Sequence, residues 1–329
     1  MIAATYETYG GPDVVHLTEV PTPVPKRNEV LIQTYATTVT SGDWRVRSLI
    51  LPPGFGAMGR LMFGLRKPRQ PILGTELSGV VASVGQDVTR FKPGDAVFAF
   101  GDAAMGCHAE YKCMPEDGAL APKPATLSYE EAAALSFGGT TALSFFQRAK
   151  LQPGERVLIN GASGGVGTAA VQLARHFGAE VTGVCSTANV DLVRSLGATH
   201  VIDYTKDDFT QNGETYDVIM DVAGTAPYSR SRRSLNEGGR LLLVLAGLSE
   251  MLQAPFSTLR DSRRILAGPV TATADDLRFL AELAETGGYR PVIGRQYPFE
   301  QIAEAHRYVD TGHKRGNVVV TLERTLGSE

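Results

Sequence analysis

The six residues Ala162-Ser163-Gly164-Gly165-Val166-Gly167 have the types and spacing that cradle a phosphate. Val157-Leu158-Ile159 before them reads as a short buried strand. After them Val166, Ala169, Ala170, Leu173, Ala174 and Phe177 recur at helical spacing, and Gly178 stops the pattern. The turn is a dinucleotide fingerprint with alanine as its first member. In that role Gly161 and Ala162 lead the chain out of the strand, and Gly164 lets backbone approach a pyrophosphate. Gly167 lets helix and strand pack closely, while the free N–H groups of the helix start favour negative charge. A glycine pattern alone is weak, and a tight turn without a ligand is the competing reading. The strand before and the helix after favour nucleotide binding.

Around this turn the pattern is one of alternation. Strands are expected at 156–160, 180–185, 200–203, 217–221, 240–245 and near 265–269, with helices between them. That order implies a parallel sheet covered on both faces. Residues 1 to about 120 read instead as β-rich, with strand-like runs at Glu29–Ala36, Leu77–Gly85 and Asp95–Phe100 bounded by Gly, Pro and Asp. Phe299–Val309 reads as an amphipathic helix, and Val318-Val319-Val320 as a closing strand that returns to the first domain. The expectation is an α/β chain with two domains. Residues 1–124, completed by about 290–329, form the first, and residues 125–289 form a doubly wound Rossmann domain.

With 329 residues, 43% hydrophobic and 20% charged, the chain has the composition of a globular protein. Its net charge of −3 gives no electrostatic reason to expect nucleic acid or a membrane surface. Three cysteines cannot form a disulfide framework. No basic segment followed by an apolar run opens the chain, and a cytoplasmic location is expected.

Further motifs carry a resemblance. They are Gly10-Gly11-Pro12, Asn28-Glu29-Val30-Leu31, Gly74-Thr75-Glu76-Leu77-Ser78-Gly79-Val80-Val81, Phe91-Lys92-Pro93-Gly94-Asp95-Ala96-Val97, Ala109-Glu110-Tyr111 and Leu196-Gly197-Ala198. With the glycine turn they cover nearly the whole chain in order. The chain resembles the medium-chain dehydrogenase/reductases, in the zinc-free quinone oxidoreductase branch. The resemblance implies a GroES-like catalytic domain, a Rossmann domain, a nicotinamide in the cleft between them, and a homodimer.

Zinc-dependent alcohol dehydrogenases of that superfamily carry a Cys in the segment reading here Val39-Thr40-Ser41-Gly42-Asp43, and a His where this chain has Gly74-Thr75-Glu76. Both ligand positions align with threonine, and hydroxyls are poor zinc ligands beside thiolate and imidazole. No metal is expected, and Cys107, His108 and Cys113 read as packing residues. By the same resemblance Asp43 and Trp44 face the nicotinamide. Asp43 is either a proton donor or a loop carboxylate bonded to backbone, and Trp44 is also readable as a core anchor. Thr40 and Thr75 are candidate hydroxyl donors to a developing oxyanion.

For the cofactor, no carboxylate stands where Glu180–Cys185 ends in Ser186 and Thr187, so a 2′-phosphate is not repelled there. Those two hydroxyls can donate to it or simply cap a helix; no Lys or Arg stands at the tip, and Arg194 lies farther on. NADPH is therefore favoured. The resemblance places Tyr204 near the adenosine phosphate, Val222-Ala223-Gly224 beside the cofactor, and Thr140 and Thr141 at the nicotinamide ribose, where Thr141 could equally cap a helix. The apolar, glycine-rich segment 51–69 reads as a long loop, either a lid, a buried loop or a dimer contact. The implied activity is zinc-independent, NADPH-dependent reduction of a small hydrophobic quinone or α,β-unsaturated carbonyl. The rival readings are a zinc-type alcohol dehydrogenase and a non-catalytic NADPH-binding protein.

Overall fold

The structure, a computed structural model, describes residues 1–259 and 262–322. It divides into two compact units. The first comprises Met1–Leu51, Gly56–Phe137 and the chain from Ala272 on; the second comprises Pro52–Phe55 and Gly138–Thr271.

The first unit is β-rich. Its main sheet runs Ile293–Pro298, Asn317–Thr321, Glu29–Thr38, Glu76–Val84, Ala96–Phe100, Leu120–Pro122, with Tyr111–Pro115 also paired to Glu29–Thr38. Alternation explains most of the long central strand: Val30, Ile32, Thr34 and Ala36 are buried while Glu29, Leu31, Gln33 and Tyr35 are partly exposed. The closing strand Asn317–Thr321 returns as expected and pairs antiparallel with that strand, Val319 opposite Thr38. The first unit is thus assembled from distant parts of the chain.

The second unit is a six-stranded parallel sheet. Its strands are Arg156–Asn160, Glu180–Cys185, His200–Asp203, Tyr216–Asp221, Leu235–Leu243 and Arg264–Ala267, in the spatial order third, second, first, fourth, fifth, sixth. This is the doubly wound order, and it reverses between the first and fourth strands, where ligands of such sheets bind. Val157, Leu158 and Ile159 are fully buried, as a strand covered on both faces requires.

Three expectations need correction. The first unit extends to Phe137 rather than 124, because Ala133 and Ala134 after the helix start at Tyr129 pack against Ala36 and Val319. The second unit ends at Thr271 rather than 289, because the helix Ala274–Glu285 packs against Leu120–Pro122. Segment 51–69 is not one long loop. Gly56–Phe63 is an α-helix, and Pro52–Phe55 belongs to the second unit, where the Pro53 carbonyl accepts from Leu248 N–H at 2.9 Å. Two glycines in eight residues hide the helix, since each lowers helix propensity. Gly59 has a packing reason: a Cβ there would lie 1.9 Å from Leu51 Cδ1.

Candidate functional site

The glycine turn leaves the first strand of the second unit at Asn160. Gly161 takes φ +89°, a conformation glycine adopts without strain. Gly164 is the N-cap of the helix Gly165–His176, and a Cβ on it would meet only the Gly161 carbonyl oxygen, at 3.8 Å. A Cβ on Gly167 would lie 2.0 Å from that same oxygen and 2.8 Å from Ala162 backbone. Gly164 therefore faces open space and Gly167 faces backbone, as the fingerprint reading requires. Ala162 is fully buried, Val166 nearly so, and Ser163 and Gly164 are partly exposed.

Beside this turn lies the loop that leaves the fourth strand. Buried Asp221 accepts from Gly224 N–H at 2.9 Å, Ala226 N–H at 2.8 Å and the Asn160 side-chain amide at 2.8 Å. One carboxylate thus ties the loop Val222-Ala223-Gly224 to the end of the first strand. A Cβ on Gly161 would be 3.2 Å from Ala223. Asp221 was not foreseen from sequence, although an acidic residue closing an apolar strand was a usable signal. Thr141 lies within the helix Ser136–Ala149 rather than at its start, so it is no N-cap; Thr140 and Thr141 are both nearly buried.

The tip of the second strand differs from its expected form. Parallel pairing sets Asp203 opposite Cys185, and Thr187 Oγ1 donates to Asp203 Oδ2 at 2.5 Å. A carboxylate therefore stands at the tip, carried by the neighbouring strand. The Thr187 proton is committed to it, which leaves Ser186 as the free donor of the two. The hydroxyls of Thr187 and Thr205 hold Asp203 well below the usual carboxylate range. Lys206 Nζ lies 3.3 Å from the same carboxylate and brings a cation to the tip that sequence spacing did not reveal. Tyr204, between them, is 57% exposed.

The first unit holds a second cluster, made by side chains. Thr40 caps the helix Ser41–Ser48. Its N–H and its hydroxyl donate to Asp43 Oδ2 at 2.7 and 2.6 Å, and Asp43 N–H donates back to Thr40 Oγ1 at 3.2 Å. Asp43 Oδ1 accepts from Gly74 N–H at 2.8 Å. Asp43 is fully buried and serves as acceptor in all these side-chain bonds, the arrangement of a loop carboxylate bonded to backbone. Thr40 has no proton left for a ligand. Thr75 is the exception: its hydroxyl is buried and has no hydrogen-bond partner among the described residues. Gly74 supplies the turn, with φ +94° and His108 N only 2.5 Å from where a Cβ would stand.

Glu76 was not foreseen as part of this site. It is fully buried, accepts the Thr38 hydroxyl proton, and accepts from Phe137 N–H at 2.6 Å. Burial pushes its carboxyl up to about 7 against the pull of those two bonds, with Asp43 adding to the rise and Lys314 opposing it. Burial also pushes half-buried Lys314 down to about 8, against the attraction of Glu76 and Asp43. Its ammonium donates to the Gly316 carbonyl at 2.8 Å. Cys107 and His108 are fully buried, and burial pushes the Cys107 thiol up to about 12. Cys113 is a half-buried residue of the strand Tyr111–Pro115. Trp44 packs against the core containing Val46, Leu73 and Met105, with Arg45 stacked 5.0 Å from its ring centre. Among the described residues no three His, Cys, Asp or Glu side chains converge as a metal-holding group.

Comparison with known proteins adds to this geometry. Residues 26–126 match the model of the alcohol dehydrogenase GroES-like domain, and residues 196–320 match the model described as zinc-binding dehydrogenase. A chloroplastic quinone oxidoreductase of Triphysaria versicolor is 33% identical over 335 residues, covering 97% of this chain and 98% of the relative. A chloroplastic NADPH-dependent alkenal/one oxidoreductase of Arabidopsis thaliana is 31% identical over 332 residues, covering 97% and 79% respectively. Among solved structures, the quinone oxidoreductase from Coxiella burnetii superposes with a TM-score of 0.87 at 29% identity, covering 98% of this chain and 99% of that one.

Proposed function

The chain belongs to the medium-chain dehydrogenase/reductase superfamily, in its quinone oxidoreductase-like branch, and on that premise we propose that it is a zinc-independent, NADPH-dependent reductase of quinones or α,β-unsaturated carbonyls. The relatives named for quinones and for alkenals support the acceptor class.

The residues on the chain fit the dinucleotide. Gly164 leaves open space at the helix N-terminus, Val222–Gly224 borders it, and Ser186 with Lys206 offers a hydrogen bond and a positive charge where a 2′-phosphate belongs. Bound NADPH supplies the hydride. The residues do not fit zinc. Thr40 and Thr75 replace thiolate and imidazole, and the Thr40 hydroxyl is consumed by Asp43.

The observation that carries the reading is the lone Thr75 hydroxyl. Asp43, by bonding Thr40 and Gly74, holds the backbone beside it in place. A buried donor with no partner suits an oxygen that gains negative charge during reaction. A conjugated acceptor needs only that, because hydride arriving at its β-carbon sends charge along the conjugated system to its oxygen. A simple ketone or alcohol needs stronger polarisation, which a metal would supply.

The test follows NADPH oxidation with quinones and enones beside NADP⁺ reduction with primary and secondary alcohols, each with and without a chelator. Conjugated acceptors should turn over in both conditions, and Thr75→Val should lower kcat by about tenfold, the loss of one hydrogen bond to a charged oxygen. Good turnover of alcohols, or inactivation by the chelator, would overturn the reading.

A further inference from the structure

Between Asp43 and Glu76 the sequence holds six cationic residues, Arg45, Arg47, Arg60, Arg66, Lys67 and Arg69, and no carboxylate. The net charge of −3 for the whole chain averages this segment away. Arg47 is buried against Asp310, and Arg45 lies over Trp44. Arg60 donates to the Leu65 carbonyl at 3.2 Å, and among the described residues none of Arg60, Arg66, Lys67 and Arg69 pairs with a carboxylate.

The helix Gly56–Phe63 lies inside this segment with Gly59 and Phe63 turned inward and most of its apolar side chains turned out. Its one buried residue is Gly59, seated on Leu51. Met58, Leu61 and Met62, at positions i, i+3 and i+4, form an apolar stripe that is 46%, 62% and 54% exposed. Ile50 and Leu65, close by in sequence, are also exposed, at 54% and 64%. A surface helix ordinarily turns such a stripe inward. Among the described residues half of the ten exposed large apolar side chains fall between Ile50 and Leu65, a concentration that isolated surface residues do not show.

We propose that this face docks on an anionic lipid surface. An apolar helical stripe with cations beside it is the pattern that lies in the plane of a membrane interface. The apolar side chains enter the headgroup–acyl boundary, and Arg66, Lys67 and Arg69 reach the lipid phosphates. Charge selects this occupant over a second copy of the chain, because a symmetric self-contact would set these cations against themselves. No described helix is long and apolar enough to cross a membrane, so the attachment is peripheral. This inference stands apart from the reading of the chemistry, since it is measured without turnover.

The experiment sediments the full-length protein with phosphatidylcholine vesicles, with and without phosphatidylserine, at low and high salt. Binding is expected only with phosphatidylserine and should weaken as salt rises. Arg66→Gln with Lys67→Gln should weaken it about 25-fold, at about fivefold per cation. Leu61→Ser with Met62→Ser should weaken it about tenfold or more without lowering Tm, because both side chains already face solvent. Three outcomes would each overturn the proposal. One is no association with phosphatidylserine vesicles at low salt; another is equal binding to both vesicles. The third is a dimer that the double-serine variant dissociates without any vesicle binding in the native protein, which would give the face to a second copy.

Discussion

The glycine turn of the second unit and the Asp43 cluster of the first prepare for ligands by opposite means. The turn is made of backbone. Its selectivity lies in atoms that are missing, at Gly164 where a ligand needs room and at Gly167 where the chain itself does. The Asp43 cluster is made of side chains. Its order lies in bonds that are present, from one carboxylate to Thr40 and Gly74 and from another to Thr38 and Phe137. The difference teaches how each is damaged: the first by adding an atom, the second by removing one.

The largest effect tests the first half of that contrast. Gly167→Val should abolish NADPH binding, since its branched side chain meets the Gly161 carbonyl and Ala162 backbone. Overpacking of this kind costs about 1–3 kcal/mol of folding stability or more, so Tm should fall and NADPH should be lost with the displaced turn. Gly164→Ala should leave Tm unchanged, because its Cβ meets nothing closer than 3.8 Å, yet weaken NADPH where the pyrophosphate must approach. Thermal unfolding and cofactor titration of both variants decide this, and equal behaviour would break the contrast.

The second half is tested by deletion. Asp43→Asn keeps the volume but offers a donor where Thr40 N–H and hydroxyl both donate. The expected loss of stability is about 1–3 kcal/mol, as for buried polar groups left unpaired. A proton donor would show a different signature, lost turnover at unchanged stability. Kinetics and urea unfolding of the same preparation separate the two.

A smaller effect is spread over pH. The Glu76 value of about 7 in the folded protein lies above its ordinary 4.5, so the fold holds a proton that the unfolded chain has released. Its contribution to stability therefore falls as pH rises from 4.5 to about 7. Lys314, at about 8 against an ordinary 10.5, acts in the other direction: stability recovers as pH rises from about 8 to 10.5. Glu76→Gln should flatten the lower slope and, by removing a charge that supports the Lys314 ammonium, start the upper one at lower pH. Urea midpoints across both windows measure this, and a lower slope that survives the substitution would remove Glu76 from the account.

The smallest effect concerns the strand tip. Lys206→Ala should weaken NADPH about fivefold, the worth of an exposed charge pair near 1 kcal/mol, and leave NADH nearly unchanged. Equal losses for the two cofactors would mean that Lys206 only balances Asp203.

By itself the sequence determined whatever depends on neighbours along the chain. The strand, the turn and the helix from Val157 to Gly178 follow from local periodicity and from glycine's freedom, so the turn was legible without a structure. The alternation of the second unit and a strand at Val318-Val319-Val320 were legible for the same reason. Tertiary structure alone decided the contacts that span the chain. Asp43 meets Gly74, Thr187 meets Asp203 on the adjacent strand, and Glu76 feels Lys314 from the far end of the sequence. It also decided which way the helix Gly56–Phe63 turns its apolar stripe, because Gly59 and not Met58 found a place against Leu51. The physical reason is range. Backbone conformation is set by a few adjacent residues, whereas the partners of a buried charge and the orientation of a helix face are set by whatever folding brings within a few ångströms.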